Sequence, residues 1–120
     1  MKIRVVKVNM GEKPKITEIE DTLEASKEVV GGYIERVAIG TEIDLWINEE
    51  GKLDDELKEN IVLVTKGRPY DVVHGNVFFA SHDDTGNTVS LTDEQIKDLK
   101  RRTMSAVTPT GEELMAIIVD

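Results

Sequence analysis

Residues 23–53 read LEASKEVVGGYIERVAIGTEIDLWINEEGKL, and this stretch switches from helical to extended patterning without a long connection. Asp21 can cap a helix with Glu24 three residues later, and Leu23, Ala25, Lys27 and Glu28 are good helix formers, so a helix is expected over 21–30. Gly31 supplies the stop, because glycine tolerates the left-handed conformation at a helix C-terminus. From Tyr33 to Ile39 side chains alternate, with Tyr33, Glu35, Val37 and Ile39 on one side and Ile34, Arg36 and Ala38 on the other. Both faces are partly apolar, as in an interior strand. Ile43–Ile47 forms the next strand, and Asn48-Glu49-Glu50-Gly51 has the composition of a tight turn before Lys52 and Leu53, so a hairpin is expected here.

On the N-terminal side, Ile3, Val5, Val6 and Val8 give a strand, and the turn residues of Asn9–Pro14 lead to a short extended approach around Ile16 and Ile19. On the C-terminal side, Asp54–Asn60 is expected to form one helical turn, and Ile61–Val64 is an apolar run whose type the pattern leaves open. Val72-Val73 and Val77–Ala80 read as one strand interrupted at His74-Gly75-Asn76, where glycine permits a bulge. Asp83–Asn87 is a turn, and Thr88–Ser90 returns from it. The clearest helix start is at Thr92: Gln95 completes a capping box and Leu91 can pack on Ile96, giving a helix over 92–102 with Lys97, Lys100, Arg101 and Arg102 towards its C-terminal end. Ser105–Gly111 resembles a linker. Leu114–Val119 is either a closing strand or a short helix begun by Thr110 with Glu113, and its β-branched end favours the strand. The expected fold is therefore α+β, a single compact domain with a mixed, mostly antiparallel sheet and two main helices. Residues 1–104 form its body and 105–120 a C-terminal extension.

The chain has 120 residues, 39% of them apolar, which suits one domain able to bury a core without cross-links. It has no cysteine, which removes disulfides and thiolate chemistry and fits a reducing compartment. The opening MKIRVVKVNMGEK is broken by Arg4 and Lys7 and lacks a cleavage pattern, so no signal peptide is expected; no apolar run reaches the length of a membrane span. A cytoplasmic protein is the expectation. With 24 acidic and 15 basic side chains the formal net charge is −9. Phosphate backbones would on average be repelled, so direct nucleic-acid binding is not expected. An acidic surface that engages a basic protein, as a DNA mimic does, remains open beside the plainer reading of a well-solvated one.

The order and spacing of Leu23-Glu24-Ala25, Gly31-Gly32-Tyr33-Ile34-Glu35, Asn48–Leu53, Gly75-Asn76-Val77 and Ser90–Gln95 resemble the domain of unknown function 3846 family, over roughly Lys2 to Arg102. The resemblance implies a protein of bacteriophages, plasmids or conjugative elements, acting inside the bacterial host. It brings no reaction and no catalytic residue.

Chemistry-bearing residues are sparse. His82-Asp83-Asp84 with His74 has metal-ligand atoms, but its place in a turn points to a solvated loop, and no metal or other cofactor is expected. Gly31-Gly32 lacks a phosphate-loop lysine. Gly67-Arg68-Pro69-Tyr70 places a cation and an aromatic in a loop; Arg68 and Tyr70, with His74 and Asn76, are the candidate lining of a small-molecule site. Trp46, the lone tryptophan, is expected to be partly core or at an interface, and it joins Glu49, Glu50, Asp54, Asp55, Asp83 and Asp84 as the candidate protein-interaction residues. The leading expectation is a non-catalytic accessory protein that binds and modulates a host protein, counter-defence inhibition being one form. The alternative is a nucleotide-like small-molecule binder or sequestering module, and a hydrolase using His74, His82 and nearby acids stands third. Self-association is open, through an apolar terminal strand that pairs within the chain or with a second copy.

Overall fold

The computed structural model describes residues 1–120 and distributes ten strands over two sheets, with two α-helices. In chain order the elements are β1 (Lys2–Val8), β2 (Lys15–Glu20), α1 (Leu23–Val30), β3 (Ile34–Ile39), β4 (Ile43–Asn48), a 3-10 turn (Gly51–Leu53), β5 (Glu59–Thr65), β6 (Arg68–His74), β7 (Val77–His82), the two-residue β8 (Thr88–Val89), α2 (Asp93–Arg102), β9 (Thr103–Val107) and β10 (Glu113–Ile118). The first sheet runs β2-β1-β7-β4-β3, with β8 beside the far end of β7; the second runs β6-β5-β10-β9. All pairings are antiparallel except β5 with β10. The α+β class thus holds, and its strands form two sheets.

Strand alternation explains the layering. Along β1, Val6 and Val8 enter a core of 14 buried residues shared with Leu45, Phe79, Ile61, Leu63, Ile117 and the α2 residues Ile96 and Leu99. Ile3 and Val5 point the other way, into a smaller cluster with Phe78, Ala80 and Val30 of α1. One face of the first sheet therefore meets the second sheet and α2, and the other is covered by α1.

Several local expectations are corrected. Thr22, not Asp21, caps α1: it is extended and its hydroxyl accepts from Ala25 N at 3.1 Å, whereas the Asp21 amide is drawn to Met1 O at 2.8 Å. Gly31 then ends the helix at φ +80°. The β3–β4 hairpin turns at Gly40–Glu42. The Asn48–Gly51 turn leads into the 3-10 turn, so single-turn helix lies at Gly51–Leu53 and Asp54–Leu57 is a reverse turn closed by Leu57 N to Asp54 O at 3.0 Å. Ile61–Val64 is an interior strand.

The stretch expected to be one interrupted strand is two strands in different sheets, β6 and β7, and Gly75 at φ +93° is the pivot between them. Asn60 secures this crossing. It is the extra residue of a bulge in β5, it is buried, and its Nδ2 donates to Val8 O at 3.0 Å and Gly75 O at 2.7 Å. Arg68-Pro69-Tyr70 lies within edge strand β6, after a tight turn at Lys66-Gly67 in which both residues have positive φ. The expected linker is occupied up to Val107 by β9. The last apolar run is β10, an interior strand between β5 and β9, so residues 105–120 are built into the second sheet.

The α2 capping box forms as read: Thr92 Oγ1 accepts from Gln95 N at 3.1 Å and Gln95 Oε1 accepts from Thr92 N at 2.9 Å. No helix is long and apolar enough to cross a membrane.

Candidate functional site

Two polar depressions share the outward side of β4. The first is an acidic groove of about 540 Å³ at the C-terminal end of α1. Asn48 builds it: its Nδ2 donates to Val30 O at 3.1 Å and its Oδ1 accepts from Glu50 N at 2.8 Å, joining the helix end to the turn after β4. Gly32 is required against it, since a Cβ there would stand 2.9 Å from the Asn48 amide nitrogen. Asp54 Oδ1 accepts from Glu56 N at 2.9 Å, and His74 Nδ1 holds Leu57 O at 3.1 Å, which fixes the opposite wall. Glu50, Asp54, Asp55 and Glu56 thereby line one groove together with Tyr33 and Leu53, and no basic side chain lines it. Tyr33 is 65% exposed and Leu53 82%. Lys27 lies over the Tyr33 ring, 4.6 Å from its centroid, Lys58 Nζ donates to Asp55 O at 3.1 Å, and Lys52 is engaged by Asp71.

The second depression is an open groove of about 1080 Å³ over β3, β4 and β7. At its floor lies Asp44, 2% exposed, whose Oδ1 accepts from Arg36 Nη1 at 3.0 Å and whose Oδ2 lies 2.9 Å from His82 Nδ1. A carboxylate accepts only, so Nδ1 carries the proton. His82 Nε2 has no hydrogen-bond partner in the protein, and His82 and Trp46 both line the groove. Asp83 and Asp84 stand at the rim. Asp83 is committed to its own turn, its Oδ1 accepting from Thr85 N, Thr85 Oγ1 and Asn87 N. The Thr85 hydroxyl, first among these donors, holds its carboxyl below the usual aspartate range. No group of three or more His, Cys, Asp or Glu side chains is arranged to hold a metal ion.

Set against these grooves, the sequence candidates separate. Glu50, Asp54 and Asp55 converge on the acidic groove, Glu49 does not line it, and Trp46, Asp83 and Asp84 belong to the other. The proposed small-molecule lining does not assemble. Arg68 and His74 sit at opposite ends of β6, roughly 20 Å apart at the rise of a strand. Tyr70 is the bulged residue of that edge strand, and its phenol is pushed up by burial, then by Asp71 and Asp120. Asn76 Oδ1 is used by Met10 N at 2.8 Å. The Arg36–Asp44–His82 arrangement is not among the sequence candidates, although a signal is present: Asp44 is a lone charge between Ile43 and Leu45 in a strand. Tyr33 and Leu53 are not among them either, and the pattern carries no sign of their exposure.

A small α+β domain with two polar grooves on one side of β4 is the class these features define. The chain belongs to the domain of unknown function DUF3846 family, whose model matches residues 1–104. No match is found among curated proteins or among solved structures.

Proposed function

We propose that this protein is a non-catalytic accessory factor of a phage or mobile element that binds and modulates a host protein in the bacterial cytoplasm, counter-defence inhibition being one form of that activity. The observation that carries the reading is the acidic groove: four carboxylates flank two exposed apolar side chains, with no cation among the lining residues. Such a surface fits a partner segment that presents Lys or Arg around an apolar anchor. The carboxylates steer and orient the encounter, and Tyr33 and Leu53 supply area that leaves water on binding. The formal charge of −9 extends the attraction beyond the groove. Affinity capture from host lysate, run in parallel with wild type and the Glu50→Lys/Asp54→Lys/Asp55→Lys variant, tests this. A stoichiometric host protein held by wild type and lost from the variant is the expected result; identical capture by both would refute recognition through the groove.

A second reading is favoured by one observation, the unpartnered His82 Nε2 over an open polar groove with Arg36 at its side. There the protein would bind a small polar ligand such as a nucleotide, placed by Arg36 and His82 and lying against Trp46. Ligand-dependent stabilisation against heat checks it, at about 2.7 kcal/mol when free ligand is 100 times Kd. Nucleotides that leave the unfolding temperature of wild type and His82→Gln equally unmoved would count against it.

A further inference from the structure

Exposed sheet edges invite pairing with another chain, and proteins blunt them with charges, proline, bulges or extreme shortness. Four of the edges here are blunted in these ways. β2 carries Lys15, Glu18 and Glu20, β3 carries Glu35 and Arg36, β8 has two residues, and β6 has Pro69 and a bulge at Tyr70. The exception is β9. Its sequence, Thr103-Met104-Ser105-Ala106-Val107, has no charge and no proline, and its register with β10 runs unbroken from Thr103↔Ile117 to Val107↔Glu113. It pairs with β10 alone, and no loop hydrogen-bonds its outer rim.

We infer that β9 is a self-association edge, where two copies of this chain pair antiparallel to join their second sheets into one. Two observations select a second copy as the occupant. The first is charge. Antiparallel pairing about Ser105 sets Thr103 opposite Val107 of the second copy, which brings the Lys100-Arg101 end of α2 to the Glu112-Glu113 end of the other copy's β9–β10 hairpin, and the reverse on the other side of the axis. The overall negative charge opposes association, and this local exchange of opposite charge offsets it at the contact. The second is continuity of the outer face. Val72, Val62, Ala116 and Met104 form one row across the four strands of the second sheet, and the row ends on Met104, 47% exposed. In the pairing described, Met104 meets Ala106 of the second copy, so the apolar row continues across the axis instead of ending in water. This edge lies on the far side of the molecule's second sheet from the acidic groove, and the inference is independent of the proposed partner.

Sedimentation equilibrium of the full chain tests it. Wild type is expected to be a reversible dimer. Met104→Lys, at a side chain 47% exposed and outside the main core, puts a cation into the apolar row on each side of the axis, where it meets Ala106 of the second copy, and is expected to weaken dimerisation by about tenfold. Lys100→Glu/Arg101→Glu and Glu112→Lys/Glu113→Lys are each expected to weaken it, and an equimolar mixture of the two to recover a heterodimer. A wild type that stays monomeric up to its solubility limit overturns the inference, as does a dimer that Met104→Lys leaves unchanged. Failure of the mixture to recover association would overturn the antiparallel register.

Discussion

Asn60 and Asp44 are the two buried polar side chains on which the most depends. Asn60 satisfies two carbonyls from different parts of the chain, Val8 O and Gly75 O, where the path passes from one sheet to the other. Asn60→Ala removes this shared donor from a buried place and is expected to cost about 1–3 kcal/mol, read from the urea midpoint at unchanged m-value. Asp44→Ala removes the carboxylate that Arg36 and His82 share. Both partners reach water, so the expected loss is smaller than for a fully enclosed pair, about 2 kcal/mol. Asp71 sets a pH dependence: the hydrogen bond from Lys52, first among its causes, lowers its pKa below the ordinary 3.8. A carboxylate whose pKa is depressed on folding stabilises the fold above its unfolded pKa and loses that contribution as pH falls through the folded value. Acid titration of stability should therefore be less steep in this range for Asp71→Asn than for wild type. At this scale the residues told little in advance. A lone aspartate in an apolar strand signals that it needs a partner but does not name Arg36 or His82, which arrive from neighbouring strands. A bulged asparagine has no linear signature at all.

Elements were far more legible, because their causes are local. The α2 start rests on Thr92, Gln95 and the two flanking apolar residues, all within six positions, and it forms as read. Thr92→Ala is expected to cost about 1 kcal/mol, measurable as a shift in the unfolding midpoint. Where two structures share one local pattern, the reading failed: a Gly75 bulge within one strand and a Gly75 pivot between two sheets both need glycine and flanking β-branched residues. The choice between them is made by what the two halves pair with, β5 for Val72-Val73 and β1 with β4 for Val77–Ala80. Gly75→Ala forces a Cβ onto a residue at φ +93° with Leu57 already 3.3 Å from that position. A loss of about 1–3 kcal/mol is expected, with amide-exchange protection falling on both β6 and β7. An effect confined to one of them would show that the pivot does not couple the sheets.

For the molecule as a whole, the main consequence concerns β10. The family match ends at residue 104, yet the second sheet is completed by β10, which lies between β5 and β9 and buries Ala116 and Ile117. A chain ending at Met104 would expose the apolar edge of β5 and open the main core on that side. It is expected to lose cooperative unfolding, seen as a broad thermal transition with dye-accessible apolar surface. Charge, too, has meaning only at this scale. Acidic residues scattered along the sequence give no geometry, and the fold gathers Glu50, Asp54, Asp55 and Glu56 around Tyr33 and Leu53 while leaving Asp83 and Asp84 at another groove. Recognition of a basic, apolar-anchored segment by that gathered surface is the central claim. Its most direct test is an amide chemical-shift titration of the isotopically labelled protein with a Lys- and Arg-rich amphipathic peptide carrying one leucine, at low and at physiological salt. Shifts centred on Tyr33, Glu50 and Leu53–Glu56 that weaken with salt are predicted; shifts confined to the Asp44–His82 groove, or no saturable shifts at either salt concentration, would contradict it.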